Sequence, residues 1–375
     1  MIAKVICHPD VCWRPRYAAL MVAVAAYFVS VGMTVPTVPR YIISLGGGSL
    51  AVGLAVAVFS AAALAARPVV GRSLAVSAPK LLAVGCLVSA VTTLALLVAN
   101  SPFLVALARA GGGVGEAFFF VIATAVVYRT VPADLAPRAQ AATSTLVYVG
   151  ILGGAATGEA LRSASGFRTT WWAAAALALV GALASSATTP TQVAASRARG
   201  MLTSRAAIRP GLILAASTVA AVAFSSFLPL FARSFGVRDL TGVYVLFALV
   251  VVASRLAIIL SPKAASVPSS SALGLCAAAL IAAAGGSYPL LLVASLLGGL
   301  GLALAYPTLL ATAVGAAAAP ERPRTISTLT GFYDAGFLVA PLGFGGVAAL
   351  AGYRFAYVAA ASVCACAAFV AMRLQ

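Results

Sequence analysis

The chain has 375 residues, of which 63% are hydrophobic and only 8% are charged. A water-soluble domain carries about 25% charged residues, so this composition excludes a soluble globular protein. The net charge of +17 would suit a nucleic-acid partner, but no basic cluster with interleaved stacking aromatics accompanies it, and we predict no nucleic-acid binding.

Apolar segments follow one another along the chain, most of them about long enough to cross a bilayer. The twelve segments fall at 17–36, 49–66, 80–99, 102–127, 139–160, 168–187, 210–231, 240–260, 271–287, 289–314, 325–347 and 355–372. We therefore predict an all-α membrane protein with twelve transmembrane helices.

The longest connection between these segments is polar, carries four arginines and separates six segments from six. The predicted organisation is a six-helix bundle over 1–190, a cytoplasmic linker over 191–209 and a second six-helix bundle over 210–375. The two halves also repeat short patterns, because Gly113-Val-Gly115 matches Gly299-Leu-Gly301. Such weak repetition predicts two pseudo-symmetric bundles with a substrate site near the bilayer midplane.

Positive charge is distributed unevenly over the connections. Most of the 24 Lys and Arg residues fall in connections on the side of the membrane where the chain begins. The positive-inside rule then predicts a multi-pass protein of the cell membrane with both termini in the cytoplasm. The same charges favour anionic headgroups, so membrane lipids are predicted partners.

Three charged residues lie deep inside apolar segments, whereas Glu159, at the end of the fifth segment, is interpreted as an interfacial charge near Arg162. Arg109 and Glu116 belong to the fourth segment and Asp334 to the eleventh. Charges inside a bilayer are costly and usually mark function, and a desolvated carboxylate can exchange a proton as its environment changes. We predict Glu116, Asp334 and Arg109 as proton-coupling residues. The alternatives are carboxylates neutralised by structural partners or packed in the protonated form, and an arginine bound by backbone carbonyls.

Aromatic side chains in the segments are candidates for lining a substrate cavity, with core packing or lipid contact as the alternative. The candidates are Tyr27, Phe59, Tyr148, Phe224 and Tyr333.

Glycines recur at helical spacing in the fifth segment. Gly150, Gly154 and Gly158 lie on one helix face, which allows a neighbouring backbone to approach closely. Gly336 and Pro341 occupy the corresponding region of the eleventh segment. We interpret these residues mainly as helix-packing positions.

Several of these motifs resemble those of the major facilitator superfamily, particularly its prokaryotic drug or sugar efflux permeases, and the resemblance covers essentially the whole chain. The pattern Arg109-x-x-x-Gly113-x-Gly115 is similar to the fourth-helix motif of that family. The row from Gly150 to Gly158 resembles the fifth-helix motif of its antiporters, and the stretch from Gly336 to Pro341 resembles the eleventh-helix counterpart.

The loop motif that follows the second helix in this family is only partly present. Arg67-Pro68-x-x-Gly71 resembles its start, but Ala75 stands where an acidic residue is usual. The fifth-helix motif likewise has Ala155 where proline is typical. Arg67 and Arg255 occupy matching positions at the cytoplasmic ends of the second and eighth segments. We predict gating or headgroup contacts for both, and a gating or packing role for Gly71.

The resemblance implies a secondary active transporter that works by alternating access. We predict a proton-coupled antiporter for efflux of small hydrophobic or amphipathic solutes. No ATP-binding loop is present, and Asn and Gln are scarce, which disfavours the alternative of a sugar or small-metabolite carrier. A non-transporting receptor or scaffold is an alternative of another class.

An enzyme is not predicted, because the only histidine is His8 and no catalytic constellation is recognisable. Cys7, His8 and Cys12 lie on a short tail that would make a poor metal site. We therefore predict no metal and no cofactor, and a protein that acts as a monomer.

Overall fold

The computed structural model describes residues 15–72, 77–130, 136–188, 204–260, 267–318 and 321–373. Its helices are α1 (Pro15–Ser44), α2 (Ser49–Arg72), α3 (Ala78–Ala95), α4 (Pro102–Thr130), α5 (Ala136–Ser186), α6 (Arg205–Val222), α7 (Leu228–Arg233), α8 (Thr241–Leu260), α9 (Ser269–Ala284), α10 (Tyr288–Gly315) and α11 (Arg322–Met372). A π-helical turn, Ala223–Phe227, joins α6 to α7.

The prediction of an all-α membrane protein is confirmed by these helices. In the described part of the chain, nine helical stretches are long and apolar enough to cross a membrane. The number differs from the predicted twelve for two reasons. Two pairs of predicted segments are continuous in α5 and α11, and α9 has only 16 residues.

Helix α5 has 51 residues, too many for a single crossing, and its backbone leaves the helical region at Gly166, where φ is 80°. Ser30 of α1 donates a hydrogen bond of 2.6 Å to the carbonyl of Ala174, while Gly154 lies against the carbonyl of Val29. Residues 20 positions apart would be about 30 Å apart on a straight helix. The chain therefore reverses at Gly166, where glycine tolerates the positive φ.

Helix α11 reverses in the same way at Gly352, where φ is 83°. The rings of Phe344 and Tyr357 have centroids 5.1 Å apart, although a straight helix would separate them by about 20 Å. Each of these long helices thus consists of two segments that lie side by side.

The first helix extends beyond its predicted end. The first segment was predicted to end at residue 36, but α1 continues through Pro36 and Pro39 to Ser44. Membrane helices tolerate internal proline where neighbouring groups bind the freed backbone carbonyls.

The π-helical turn Ala223–Phe227 shows how such carbonyls are bound. It lies just before Pro229, which has no N–H for the carbonyl four residues earlier. The hydroxyl of Tyr244 donates to the carbonyls of the second and third residues of the turn, at 3.3 Å each. The hydroxyl of Tyr357 donates to the carbonyl of Ala223 at 2.8 Å. Two tyrosines from other helices therefore stabilise the turn.

The chain divides into two compact units. Unit 1 contains the described residues within 1–41 and 61–197, and unit 2 those within 42–60 and 198–375. The first part of α2 belongs to unit 2 because Gly53 lies against the carbonyl of Pro341 on α11. The linker predicted over 191–209 overlaps α6, which begins at Arg205.

Helices in unit 1 approach most closely at glycines. Gly85 of α3 and Gly115 of α4 each lie against the backbone of the other helix, so that an added Cβ would be 2.8 Å from a carbonyl oxygen in both cases. Gly150, Gly154 and Gly158 of α5 lie along the backbone of α1. Neither contact leaves room for a side chain.

Adjacent glycines of α5 provide a test of this packing. A Cβ on Gly154 would lie 3.0 Å from the backbone nitrogen of Met33, whereas a Cβ on Gly153 would have no atom within 4 Å. We expect Gly154→Ala to destabilise the protein by about 1–3 kcal/mol through overpacking. Gly153→Ala should be neutral or stabilising because alanine favours helix. Thermal unfolding in detergent measures both, and equal melting temperatures would contradict the packing argument.

Candidate functional site

Arg109 and Glu116 lie on α4 in unit 1, and both are half-buried. The Nη1 atom of Arg109 donates a hydrogen bond of 3.1 Å to the hydroxyl of Thr34 on α1. Tyr27, also on α1, interacts electrostatically with both Glu116 and Arg109. Helix α1 therefore supplies a hydrogen-bond partner to Arg109 of α4.

Tyr27 lies in the core of unit 1. Its side chain is fully buried and stacks on Phe119, with ring centroids 4.2 Å apart and ring planes 12° apart. The ring of Phe28 meets it edge-on at 5.2 Å. In this conformation Tyr27 offers no surface to a solute, and its part in the site is its proximity to Glu116.

The other predicted cavity residues differ in burial. Phe224 is buried in unit 2, where it stacks on Phe247. Phe59, Tyr148 and Tyr333 are half-buried. Three of the five predicted cavity residues therefore have accessible surface.

Unit 1 contains a buried ion-pair cluster around Glu159. Its side chain is 0% exposed and lies 2.8 Å from Nη2 of Arg40 and 2.9 Å from Nη2 of Arg162. The Nε atom of Arg162 donates a second hydrogen bond, of 3.2 Å, to the same carboxylate. The carboxylate therefore links Arg40 of α1 to Arg162 of α5.

Sequence reasoning found only part of this cluster. It placed Glu159 near Arg162 as an interfacial charge, whereas the carboxylate is fully buried and also binds Arg40. The available signal was the glycine row of α5. Because Gly158 lies against Met33 of α1, residues just beyond the row on both helices come together.

Asp334, the acid predicted inside the eleventh segment, follows a tyrosine of an aromatic cluster in unit 2. Asp334 of α11 is half-buried. The neighbouring Tyr333 contacts Tyr306 of α10 at 5.7 Å and Phe337 at 5.0 Å, both at interplanar angles of 72°. The hydroxyls of Tyr306 and Thr330 are 3.4 Å apart. An acid, three rings and a hydroxyl pair are thus assembled from α10 and α11.

The predicted packing positions lie at helix contacts where the structure records their surroundings. Gly113 is buried in α4, and Gly115 faces α3. Gly336 of α11 lies against Thr218 of α6, and Pro341 lies against α2.

The predicted gating residues lie near helix ends. Arg67 and Arg255 are half-buried in α2 and α8, and Gly71 lies in the last turn of α2. Ala75, Cys7, His8 and Cys12 lie outside the described residues. Within the described ranges, no group of three or more His, Cys, Asp or Glu side chains could hold a metal ion.

Comparisons with known proteins agree on the fold. The sequence profile of the Major Facilitator Superfamily matches residues 20–268. The nucleoside transporter NupG superposes with a TM-score of 0.74 at 15% identity, covering 96% of this chain and 98% of that one. A POT family transporter in complex with a thioalcohol-conjugated peptide gives a TM-score of 0.80 at 10% identity, covering 100% and 99%.

The human organic anion transporter MFSD10 gives a TM-score of 0.69 at 17% identity and covers 96% of this chain and 99% of its own. At such identities the likeness shows the fold alone. No curated protein matches the sequence.

The Glu159 cluster makes a prediction about stability. Glu159→Gln removes the carboxylate that Arg40 and Arg162 share, and removing one partner of a buried ion pair costs about 3–5 kcal/mol. We expect a clearly lower melting temperature in detergent. Glu321→Gln, which neutralises an exposed acid, is the matched control. Equal melting temperatures for the two variants would show that the cluster does not stabilise the fold.

Proposed function

The chain belongs to the Major Facilitator Superfamily, as its motifs predicted, and from this we propose that it is a secondary active transporter. It exchanges protons for small hydrophobic or amphipathic solutes through alternating access to the two sides of the membrane. The family and the likeness to solved transporters support the general activity. The residues described above support the coupling and the cargo.

The proposed topology has twelve spans. Dividing α5 at Gly166 and α11 at Gly352, and including α9, yields twelve apolar segments. They form two six-helix bundles over 1–190 and 210–375, with both termini in the cytoplasm and the protein in the plasma membrane. The positive-inside distribution of Lys and Arg supports this orientation.

The observation that carries the proposed proton coupling is a half-buried acid in each unit. Glu116 acts electrostatically on Tyr27, and Asp334 follows Tyr333 along α11. An acid inside a membrane span is energetically costly, and such residues usually serve a function. Partial burial lets such a carboxylate meet water in one conformation and protein in another, so that it can bind and release a proton.

The cargo is proposed from the side chains available in the spans. Aromatic and aliphatic groups dominate, while the chain's few amides, at Asn100, Gln140, Gln192 and Gln375, fall at or near connections. Sugars need several hydrogen-bonding partners, whereas amphipathic solutes need mostly apolar surface with a few polar groups. Nucleosides and peptides are named for the similar transporters, and likeness in fold does not transfer them to this chain.

Proton movement in proteoliposomes tests the proposal. A pH-sensitive dye inside the vesicles should report proton flux when lipophilic cations, carboxylates or sugars are added in turn, and one class should produce flux. Glu116→Gln and Asp334→Asn should each reduce that flux at least about tenfold, because each substitution removes a group that binds and releases the proton. Glu321→Gln should retain it.

Several results would contradict the proposal. Solute flux without proton movement would indicate that Glu116 and Asp334 have structural roles. Flux driven by sugars alone would favour the sugar or metabolite carrier. Solute binding without any flux would indicate a receptor or scaffold. Size-exclusion profiles of the variants confirm that each is folded.

A further inference from the structure

We propose that Tyr27 is a positioning residue for proton exchange at Glu116, and that its hydroxyl donates a hydrogen bond to this carboxylate once the proton has left. The inference rests on the proposed proton coupling and assigns a further group to it. The proton of the Glu116 carboxyl goes to water, while Tyr27 keeps its own proton. The phenol hydroxyl then stabilises the carboxylate that remains.

The register of α1 against α4 brings Tyr27 and Glu116 to the same level. Thr34 of α1 accepts a hydrogen bond of 3.1 Å from Arg109 of α4. Tyr27 lies seven residues before Thr34, which is about two helical turns. Glu116 lies the same distance after Arg109 along α4. The stacking of Tyr27 on Phe119 shows that the two helices run in opposite directions, so Tyr27 lies opposite the turn that carries Glu116.

The Tyr27 hydroxyl is enclosed by polar groups but lacks a hydrogen bond. The side chain is fully buried, and among the described residues its oxygen makes no hydrogen bond of good geometry. Two helices supply the groups that interact with it electrostatically, namely Cys86 and Ser89 of α3 and Arg109 and Glu116 of α4. A buried hydroxyl without a hydrogen bond is costly. Such a group is suited to donate when a neighbouring acid becomes charged.

Unit 2 packs the corresponding helices closely without an acid at this position. An added Cβ on Gly115 of α4 would lie 2.8 Å from a carbonyl oxygen of α3, and one on Gly301 of α10 would lie 2.7 Å from a carbonyl oxygen of α9. The repeated glycine motif places Leu302 at the position of Glu116. Close approach of these helices therefore does not require a carboxylate. This comparison favours a functional use of the polar groups in unit 1.

An infrared titration of the full chain in nanodiscs tests the inference. The C=O stretch of the protonated Glu116 carboxyl is identified as the band that Glu116→Gln removes. Tyr27→Phe deletes only the hydroxyl, so the ionised carboxylate loses a donor and Glu116 should bind its proton about tenfold more tightly. The band should therefore persist to a pH about one unit higher than in the wild type.

Tyr357→Phe is the matched control, because it removes a buried tyrosine hydroxyl that has a partner. That hydroxyl donates to the carbonyl of Ala223 in unit 2 at 2.8 Å. We expect Tyr357→Phe to lower the melting temperature and to leave the Glu116 titration unchanged. Tyr27→Phe should shift the titration at an unchanged melting temperature, since its hydroxyl makes no hydrogen bond to the described residues in this conformation. A merely structural role for Tyr27 would not produce this separation.

A second readout leaves Tyr27 in place and therefore works even if Tyr27→Phe does not fold. Ring-labelled tyrosine reports the C–O stretch of the phenol groups. One component of this band should change through the same midpoint as the Glu116 carboxyl band. That change should be absent from Glu116→Gln.

Each outcome can be assigned. An unchanged Glu116 titration in Tyr27→Phe, or an equal shift in Tyr357→Phe, would overturn the inference. A Glu116 band that does not respond to pH would also overturn it. If Tyr27→Phe leaves the titration unchanged while a solute drives proton flux, the inference fails and the transport proposal stands. If the titration shifts but no solute drives flux, the effect of Tyr27 on Glu116 stands and the transport proposal fails.

Discussion

Inside hydrocarbon, every backbone N–H and C=O must find a partner within the protein, and this constraint shapes the rest of the structure. It makes the spans helical, and the helices then associate through close backbone contact because lipid gives them no hydrophobic reason to do so. The glycine row of α5 brings its backbone against α1 from Phe28 to Met33. That contact fixes which residues of α1 meet the rest of unit 1. Arg40 reaches Glu159 beyond the row, Thr34 reaches Arg109, and Tyr27 lies near Glu116.

The acidic residues within the spans fall into two groups that differ in burial. Glu159 is enclosed by two arginines at 2.8 and 2.9 Å, so its charge is compensated in place and serves the fold. Glu116 and Asp334, by comparison, are only half-buried. A partly accessible carboxylate can meet water in one conformation and protein in another, whereas a fully enclosed one has no such access. Exposure therefore distinguishes the three acids better than their position in the sequence does.

Hydrophobic periodicity predicted the helices, and the resemblance of short motifs to those of a known family predicted the fold, because both depend on local sequence. They did not predict that α1 continues through Pro36 and Pro39, since its tolerance depends on neighbouring helices. The reversals inside α5 and α11 were expected as connections between separate segments, yet each is reduced to one glycine with positive φ. The pairing of Arg40 with Glu159 spans 119 residues, and that of Tyr306 with Tyr333 joins two helices. Such contacts arise from packing and leave only indirect traces in the sequence.

The reversals at Gly166 and Gly352 have a mechanical meaning. A connection of several residues can stretch and let the helices it joins slide past each other, but a turn made by one residue has no slack. The two segments of α5 are therefore tied at Gly166, where Tyr41 of α1 also contacts the rings of Phe167 and Trp171. We expect the two segments of each long helix to move together as one rigid body. Irregular turns such as Ala223–Phe227 are then the places within the helices where displacement is expected.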